Sequence, residues 1–320
     1  MELVQNEDTP AQIGSYTIGR RIGGGGMGDV YQADHRFLDK RVAIKILHRG
    51  TNEHTERFFH EARAAAAIRH PGIVEILDLG IDPQGRAFII MELLDGKDLA
   101  FALIRKRRFD ELEAVNVAIQ VVDALAAAHA LGVVHRDLKP DNIFLSPSRR
   151  GDSVKATVLD FGVAKAADSR GMTTIGQILG TPQYMAPELH AGADRADARS
   201  DIYSLGCILY EMVAGRPPFI GVGAEVMAKH QQESPEPPRH WVPTLSAELQ
   251  MLILTMLSKA PGERPANTAE VLRSLSQIRA TLVPESSSSS KGGDMSTTVS
   301  RVAFGILLGL TLAALVSLIT

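Results

Sequence analysis

The sequence changes its pattern near residue 95, and this change limits the folds open to the chain. Before it, short apolar segments separated by glycine and polar turns predict five strands and one alanine-rich helix. The strands are expected at 16–22, 29–34, 41–47, 73–79 and 87–92, and the helix at 55–69. Beyond residue 95, apolar residues recur at helical spacing. These helices are expected at 111–131, 202–214, 223–232, 246–258 and 269–281. We therefore predict an α+β fold with a small sheet lobe carrying one helix, a connecting strand and a larger helical lobe.

Composition excludes several classes of protein. The 320 residues are 45% hydrophobic, which is enough for one large domain or two ordinary ones. The net charge of −3 gives no support for a nucleic-acid partner. Cys207 is the only cysteine, so an internal disulfide framework is excluded. It lies in an apolar stretch, where we interpret it as a small buried hydrophobic residue rather than a redox group.

The two ends of the chain differ from its centre. Residues 1–12 have no apolar run that would make a secretory signal, and we predict a disordered leader. Residues 283–301 are rich in serine and glycine and predict a flexible linker. The next 19 residues, 302–320, are uncharged and apolar, and as a helix they would be about 28 Å long. We predict a transmembrane helix there, with a buried or interfacial helix as the alternative. Gly305 and Gly309 would allow two such helices to approach closely, so a homodimer is possible.

Two polar loops lie between the first two long helices. Residues 135–142 are HRDLKPDN and residues 160–162 are DFG, each after an apolar segment. Together they supply an acid at Asp137, an amide at Asn142 and a second acid at Asp160. Phosphoryl transfer from ATP requires a group that accepts a hydroxyl proton and two oxygen ligands for a divalent cation. The loops therefore predict a magnesium-dependent phosphotransferase site.

A glycine-rich turn follows the first strand and fits the pattern G-x-G-x-x-G-x-V. Glycines let the backbone close over phosphates, where a Cβ would clash. A dinucleotide-binding fold would require a helix directly after the glycines, but a strand that begins near Val30 follows instead. Further on, VAIK places Lys45 in an apolar strand, and Glu61 on the following helix is a candidate ion-pair partner.

Together these motifs resemble those of the eukaryotic-type protein kinases, from about residue 16 to about residue 282. The chain is most similar to the membrane-anchored serine/threonine kinases of bacteria. The resemblance implies one kinase domain at 13–282, with an N-lobe at about 13–94 and a C-lobe at about 95–282. It also implies ATP and Mg²⁺ as cofactors and proteins bearing Ser or Thr as substrates.

The resemblance also implies roles for individual residues. Asp137 would accept the proton of the substrate hydroxyl, and Lys139 would neutralise the transferring phosphoryl group. Lys45 would contact the nucleotide phosphates and be held by Glu61, and Thr181 would bridge Asp137 and Lys139. Asn142 and Asp160 would ligate magnesium. The residues expected to bind ATP are Ile22, Gly23, Gly24, Gly25, Gly26, Met27, Gly28, Val30, Ala43, Lys45, Met91, Glu92, Leu93 and Phe144.

The segment that begins at Asp160 and closes at Glu188 resembles a kinase activation segment. Thr173 and Thr174 lie in its middle and are candidate phosphorylation sites, with ordinary polar loop residues as the alternative. Arg136 precedes the catalytic aspartate, and a phosphate in the segment would pair with it. Two structural roles also follow from the resemblance: Asp201 would anchor the loop that carries Asp137, and Arg264 would pair with Glu188.

Three functional interpretations stay open at this point. The first is an active serine/threonine kinase that phosphorylates itself, and the second is a catalytically silent pseudokinase scaffold. A small-molecule phosphotransferase of related fold is third, because such enzymes generally lack Lys139 and the Ala-Pro-Glu segment. The expected location is the cell membrane, crossed once by residues 302–320, with the kinase domain in the cytoplasm. The chain is then either tail-anchored or a fragment of a longer protein.

Overall fold

The computed structural model describes residues 10–25, 28–48, 51–147, 154–161, 182–191 and 196–283. Contacts divide the chain into two units, Met1–Val283 and Pro284–Thr320. The second unit lies wholly outside the described residues, and so do the predicted linker and membrane helix. The architecture below is that of the first unit.

The N-lobe is built on an antiparallel sheet of six strands rather than the five predicted. In sheet order the strands are β1 (Gln12–Ile13), β2 (Tyr16–Gly24), β3 (Gly28–His35), β4 (Arg41–Leu47), β6 (Ala87–Glu92) and β5 (Ile76–Ile81). The additional strand is β1, in which Gln12 pairs with Thr17 and Ile13 with Tyr16. Gln12 therefore belongs to the sheet and not to a disordered leader. Two residues are too few for an alternating pattern to be visible in the sequence.

Helix α1 (Asn52–Ala67) packs on one face of this sheet. It begins three residues earlier than predicted because Thr51 and His54 form a reciprocal capping box. Its apolar face carries Phe58, Phe59 and Ala62, which cluster with side chains of β4 and β6. Glu61 directly precedes Ala62 on this helix. It lies close enough to Lys45 of β4 for its negative charge to raise the pKa of that lysine.

The C-lobe is largely helical, as predicted. Its helices are α2 (Leu99–Lys106), α3 (Glu111–Ala130), α4 (Ala198–Ala214), α5 (Ala224–Gln232), α6 (Pro238–Trp241), α7 (Ala247–Met256) and α8 (Thr268–Leu282). Helices α3 and α4 form the centre of a single core, and thirteen residues of α4 are buried. Among the described residues, α3 is long and apolar enough to cross a bilayer, but half of its apolar window is buried in this core. It is an interior helix of the lobe.

A second sheet in the C-lobe was not predicted. It consists of β7 (Lys97–Asp98), β8 (Ile143–Pro147) and β9 (Val154–Val158), in that order. These strands have two to five residues, too few for a reliable periodic signal. The β8–β9 pair matters for function because β8 directly follows the HRDLKPDN loop and β9 ends two residues before Asp160. The N–H of Leu159 donates to the carbonyl of Asn142 at 2.8 Å, so the two polar loops lie side by side.

Candidate active site

Lys45 lies at the boundary of the two lobes. Strand β4 holds its backbone between Val30 of β3 and Ile89 of β6. Its side chain is largely buried, and Nζ donates to Oδ2 of Asp160 at 2.7 Å. The N-lobe lysine and the acidic residue of DFG, 115 positions apart in the sequence, are therefore in direct contact.

Three carboxylates control the charge of Lys45. Burial alone would lower the pKa of the amine, because a charged group is poorly solvated in the interior. The negative charges of Asp160, Glu61 and Asp137 act in the opposite direction and outweigh it, so the pKa of Lys45 is raised. The lysine is therefore a fixed cation at neutral pH, which is the charge that its predicted contact with phosphate oxygens would require.

Asp201 of α4 holds the loop that carries Asp137. Its carboxylate is buried and accepts three hydrogen bonds from other parts of the lobe. The backbone N–H of His135 donates to Oδ2 at 2.8 Å, and that of Arg136 donates to Oδ1 at 2.9 Å. The Nε2 atom of His129 lies 2.7 Å from Oδ2. The predicted anchoring contact of Asp201 is present, whereas the part played by His129 was missed.

The loop and the DFG segment are joined by a second buried contact. Nε2 of the fully buried His135 bonds to the carbonyl oxygen of Leu159 at 3.0 Å. The ring of His135 also packs on that of Phe161, with centroids 4.8 Å apart. His135 is thus a packed structural residue. Arg136 and Asp160 have positive φ angles of 63° and 40°, a strained conformation for non-glycine residues that is often found at functional sites.

Asp137, Lys139, Asn142 and Asp160 form the polar end of the cleft. Nζ of Lys139 lies 3.2 Å from Oδ2 of Asp137. Nδ2 of Asn142 donates to the backbone carbonyl of Asp137 at 2.8 Å, which fixes the orientation of its side chain, and its Oδ1 atom is the acceptor that would ligate a cation. The described residues hold no group of three or more His, Cys, Asp or Glu side chains that is arranged to bind a metal ion by itself. One carboxylate, one amide oxygen and the phosphates themselves are nevertheless a donor set that suits Mg²⁺.

The residues predicted to line the nucleotide slot lie on both lobes. Ala43 of β4 is buried and pairs with Met91 at the end of β6, and Phe144 lies on β8 of the C-lobe, where it pairs with Thr157. The N–H of Glu92 is already bonded to the carbonyl of Glu75, so the free donors of the connecting strand must follow it. Leu93 is half-buried there, while Ile22 is exposed at the edge of β2.

The glycine turn is described in part. Gly23 and Gly24 end β2, Gly25 follows, and Gly28 begins β3. A Cβ on Gly28 would overlap the carbonyl oxygen of Ile46, so the close approach of β3 and β4 requires glycine there. Gly26 and Met27 lie outside the described residues. Thr173, Thr174 and Thr181 also lie outside them, so the proposed roles of these residues stay predictions.

The closing end of the activation segment is strongly anchored. Arg264 donates to both carboxylate oxygens of Glu188, at 2.7 and 2.8 Å, and this is the predicted pair. Ser200 donates to the same carboxylate at 2.7 Å. Burial alone would raise the pKa of Glu188, but the bonds from Arg264 and Ser200 reverse this effect and lower it. The hydroxyl of Tyr184 donates to Glu211 at 2.5 Å, a contact that the sequence did not suggest.

This geometry matches a known family. A family model described as "Protein kinase domain" matches residues 16–275. The chain belongs to the protein kinase family. Its small sheet lobe and larger helical lobe are the two lobes of that fold, so the predicted fold class is confirmed for the described residues. The sheet that places Lys45 and the loop that carries Asp137 both lie inside the matched range.

Relatives of this kinase domain come from bacteria. Serine/threonine-protein kinase Pkn1 of Myxococcus xanthus is 45% identical over 264 residues, which are 81% of this chain and 37% of that protein. Serine/threonine-protein kinase PknA of Mycobacterium tuberculosis is 40% identical over 274 residues, covering 83% of this chain and 62% of that protein. The resemblance to bacterial serine/threonine kinases is therefore confirmed. The chain spans about a third to two thirds of the length of these relatives.

A solved structure supports the same conclusion. The crystal structure of the kinase domain of Mycobacterium tuberculosis PknI is similar with a TM-score of 0.64 and 28% identity. The match covers 83% of this chain and 97% of that one. Nearly the whole of a bacterial kinase domain therefore has its counterpart in this chain.

Proposed function

We propose that this chain is an ATP-dependent serine/threonine protein kinase. The observation that carries the proposal is the contact of Lys45 with Asp160 beside the Asp137–Lys139 pair. One fixed cation, one carboxylate directed at the cleft and two oxygen ligands are together what transfer of a phosphoryl group requires. The names of the bacterial relatives support serine and threonine as acceptors.

The chain's own residues supply positioning and charge. The oxygen of the acceptor hydroxyl bonds to the γ-phosphorus while the bond from that phosphorus to the ADP oxygen breaks. Asp137 accepts the proton that the hydroxyl loses. Lys139, 3.2 Å from Asp137, neutralises charge on the group in transfer. Lys45 holds the phosphates, and Asn142 and Asp160 would hold Mg²⁺, which neutralises the phosphate charges when bound. ADP and a phosphoserine or phosphothreonine are the products.

Loss of Asp137 is the direct test of this proposal. Purified protein with ATP and magnesium should phosphorylate itself and a generic acceptor protein, and Asp137→Asn should lower the rate by about 100-fold or more. Asp141→Asn is the matched control, since that carboxylate is exposed in the same loop. A wild-type protein that binds ATP with magnesium but transfers no phosphate would favour the pseudokinase scaffold instead.

Autophosphorylation of the activation segment is part of the proposal. Nε of Arg136 is buried and has no hydrogen-bond partner among the described residues. A phosphate on Thr173 or Thr174 would supply acceptor oxygens for this guanidinium and order the segment. Mass spectrometry after incubation with ATP should find the phosphate on one of these threonines. Replacing both by alanine should lower activity, and an unchanged rate would remove this part of the proposal.

Membrane attachment through residues 302–320 is the last part. It is supported by 19 successive uncharged residues directly after Arg301, a length that matches the hydrocarbon thickness of a bilayer. Expressed protein should stay in the membrane fraction after washing with high salt, and Leu310→Arg should release part of it. Protein that is soluble without detergent would contradict the anchor.

Cross-linking of wild type and Gly309→Ile would test whether two copies associate through Gly305 and Gly309.

A further inference from the structure

His230 connects three parts of the C-lobe although it lies far from the catalytic groups. It is on α5, fully buried, and surrounded by aromatic rings. The ring of Phe219 packs against it at 4.8 Å between centroids, at an angle of 71°. Its Nδ1 atom lies 2.8 Å from the hydroxyl of Tyr203 on α4, and its Nε2 atom lies 3.1 Å from the carbonyl oxygen of Gln183.

The two contacts determine which nitrogen carries the proton. A carbonyl oxygen only accepts, so Nε2 of His230 must carry a hydrogen and donate to Gln183. In the neutral ring Nδ1 is then an acceptor, and the hydroxyl of Tyr203 donates to it. Tyr203 is itself held by the guanidinium of Arg264, which lies 4.7 Å from its ring centroid. A chain of contacts therefore runs from Arg264, the partner of Glu188, through Tyr203 and His230 to the backbone at Gln183.

Gln183 belongs to a short turn beside the catalytic loop. The turn is a 3-10 helix, Pro182–Tyr184, and Tyr184 is fixed on its other side by Glu211. A groove of about 530 Å³ is lined by Pro140, Tyr184 and Glu211 together with side chains of α2. Pro140 directly follows Lys139, so this groove begins beside the catalytic loop, and a polypeptide whose hydroxyl reaches Asp137 can extend into it along the turn. The position of the turn's backbone therefore affects how the acceptor polypeptide binds.

We infer that His230 is a positioning residue for the acceptor polypeptide, because it holds the backbone of the Pro182–Tyr184 turn through the carbonyl of Gln183. It touches neither ATP nor the reacting atoms. This inference rests on the proposed kinase activity. Its effect is confined to the acceptor: loss of the bond to Gln183 weakens acceptor binding and leaves the nucleotide, held by Lys45 in the other lobe, unaffected.

Two conservative variants separate positioning from simple packing. The amide of asparagine reaches the place of Nδ1 and the amide of glutamine reaches the place of Nε2. His230→Asn therefore keeps a partner for Tyr203 and loses Gln183, whereas His230→Gln keeps a donor for Gln183 and loses Tyr203. Each variant loses one hydrogen bond, so a purely structural role predicts similar losses of thermal stability and the same kinetics for both.

Steady-state kinetics of the full chain, with ATP and myelin basic protein as the acceptor, tests the inference. We expect His230→Asn to raise KM for the acceptor roughly 5- to 10-fold, the equivalent of one hydrogen bond, while His230→Gln stays within about twofold of wild type. KM for ATP should change by less than about twofold in both. Equal effects of the two variants on the acceptor KM, no effect of either, or a change confined to ATP would overturn the inference.

Tyr203→Phe keeps the test decisive if His230→Asn fails to fold. This variant retains the ring and removes only the donor that orients His230. It removes the same hydrogen bond that His230→Gln removes and keeps the donor to Gln183, so we expect the acceptor KM to stay within about twofold of wild type, both alone and combined with His230→Gln. A roughly 5- to 10-fold rise of the acceptor KM in Tyr203→Phe would show that packing around His230, and not the bond to Gln183, acts on the acceptor, and would overturn the inference. Wild-type protein that transfers no phosphate at all would instead contradict the proposed kinase activity.

Discussion

Two ion pairs of this molecule have the same length and different surroundings. Lys45 lies 2.7 Å from Asp160 across the cleft, and Arg264 lies 2.7 Å from Glu188 within the C-lobe. The side chain of Asp160 is 50% exposed, whereas those of Arg264 and Glu188 are 0% and 11% exposed. Arg264 also donates to the carbonyls of Ser258, Lys259 and Arg199.

Exposure to water distinguishes a charge that serves function from one that serves structure. The carboxylate of Asp160 can be hydrated and can exchange Lys45 for another cation, so this pair stays available for ligands. The Arg264 pair is closed to water, and every bond that it loses leaves a buried polar group without a partner. Substitutions at the two pairs should therefore differ in what they damage: stability at Arg264 and phosphate transfer at Lys45.

The largest loss of stability is expected for Arg264→Lys. Lysine retains the charge but has neither the planar fork that binds both oxygens of Glu188 nor enough donors for the three carbonyls. We expect the free energy of unfolding to fall by about 3–5 kcal/mol, measured by urea denaturation. Arg21→Lys is the matched control, because Arg21 pairs with Asp29 at 2.6 Å but is 59% exposed. Similar losses in the two variants would show that exposure does not explain the difference.

Two His–Asp contacts of the molecule also differ in their exposure to water. Asp201 is buried beside His129 and also accepts the N–H groups of His135 and Arg136, whereas Asp123 contacts His70 at 3.1 Å and is 59% exposed. Asp201→Asn puts an amide donor opposite a backbone donor, so we expect a loss of about 2–3 kcal/mol. The rate of phosphate transfer should fall as well, because Asp137 shifts with the loop.

Asp123→Asn is the control for this comparison. The same chemical change at an exposed site should alter the free energy of unfolding by no more than about 0.5 kcal/mol and leave the rate unchanged. Urea denaturation and an autophosphorylation assay report the two quantities separately. Equal stability of the two variants would contradict the expectation. It would mean that water replaces the hydrogen bonds that Asp201 accepts from the loop.

The sequence and the structure agree best where the signal is local. The loops that carry Asp137 and Asp160 were placed correctly because their residues lie within a few positions of one another. The contact of Lys45 with Asp160 depends on the β8–β9 pair, whose short strands have no clear period. His230 is the clearest omission. It lies among Lys and Gln residues that predict an exposed helix face, but its partners are 27 and 47 positions away.

Two buried carboxylates have pKa shifts in opposite directions, so acid pH should change their contributions to stability in opposite ways. Burial raises the pKa of Glu211, further supported by Asp141 and only partly offset by Tyr184, whereas the bonds from Arg264 and Ser200 overcome burial and lower the pKa of Glu188. A lowered pKa means that ionised Glu188 stabilises the fold above its ordinary value of 4.5. This contribution is lost as the pH falls through the lowered pKa. The effect of Glu211 on stability has the opposite pH dependence. Its protonated form stabilises the fold, and this contribution is complete below pH 4.5 and is lost as the pH rises through the raised pKa.

Unfolding free energies measured between about pH 3 and pH 7 for Glu188→Gln and Glu211→Gln test these signs. The deficit of Glu188→Gln relative to wild type should be largest at neutral pH and should shrink in acid. Relative to wild type, Glu211→Gln should become more stable as the pH rises. Profiles that change in the same direction for both variants would contradict the assigned shifts.

Of the two ion pairs, the smaller effect on stability is expected at the cleft pair, for Lys45→Met, because its partner Asp160 is half exposed. Methionine fills the apolar path of the lysine stem, and Asp160 remains hydrated, so the free energy of unfolding should change by less than about 1 kcal/mol. Phosphate transfer should nevertheless fall by about 100-fold or more, because no fixed cation then faces the phosphates. Lys106→Met, at the exposed Lys106–Glu113 pair, should change neither quantity. A Lys45→Met protein as unstable as Arg264→Lys would mean that the cleft pair holds the two lobes together, and its charge would then be structural after all.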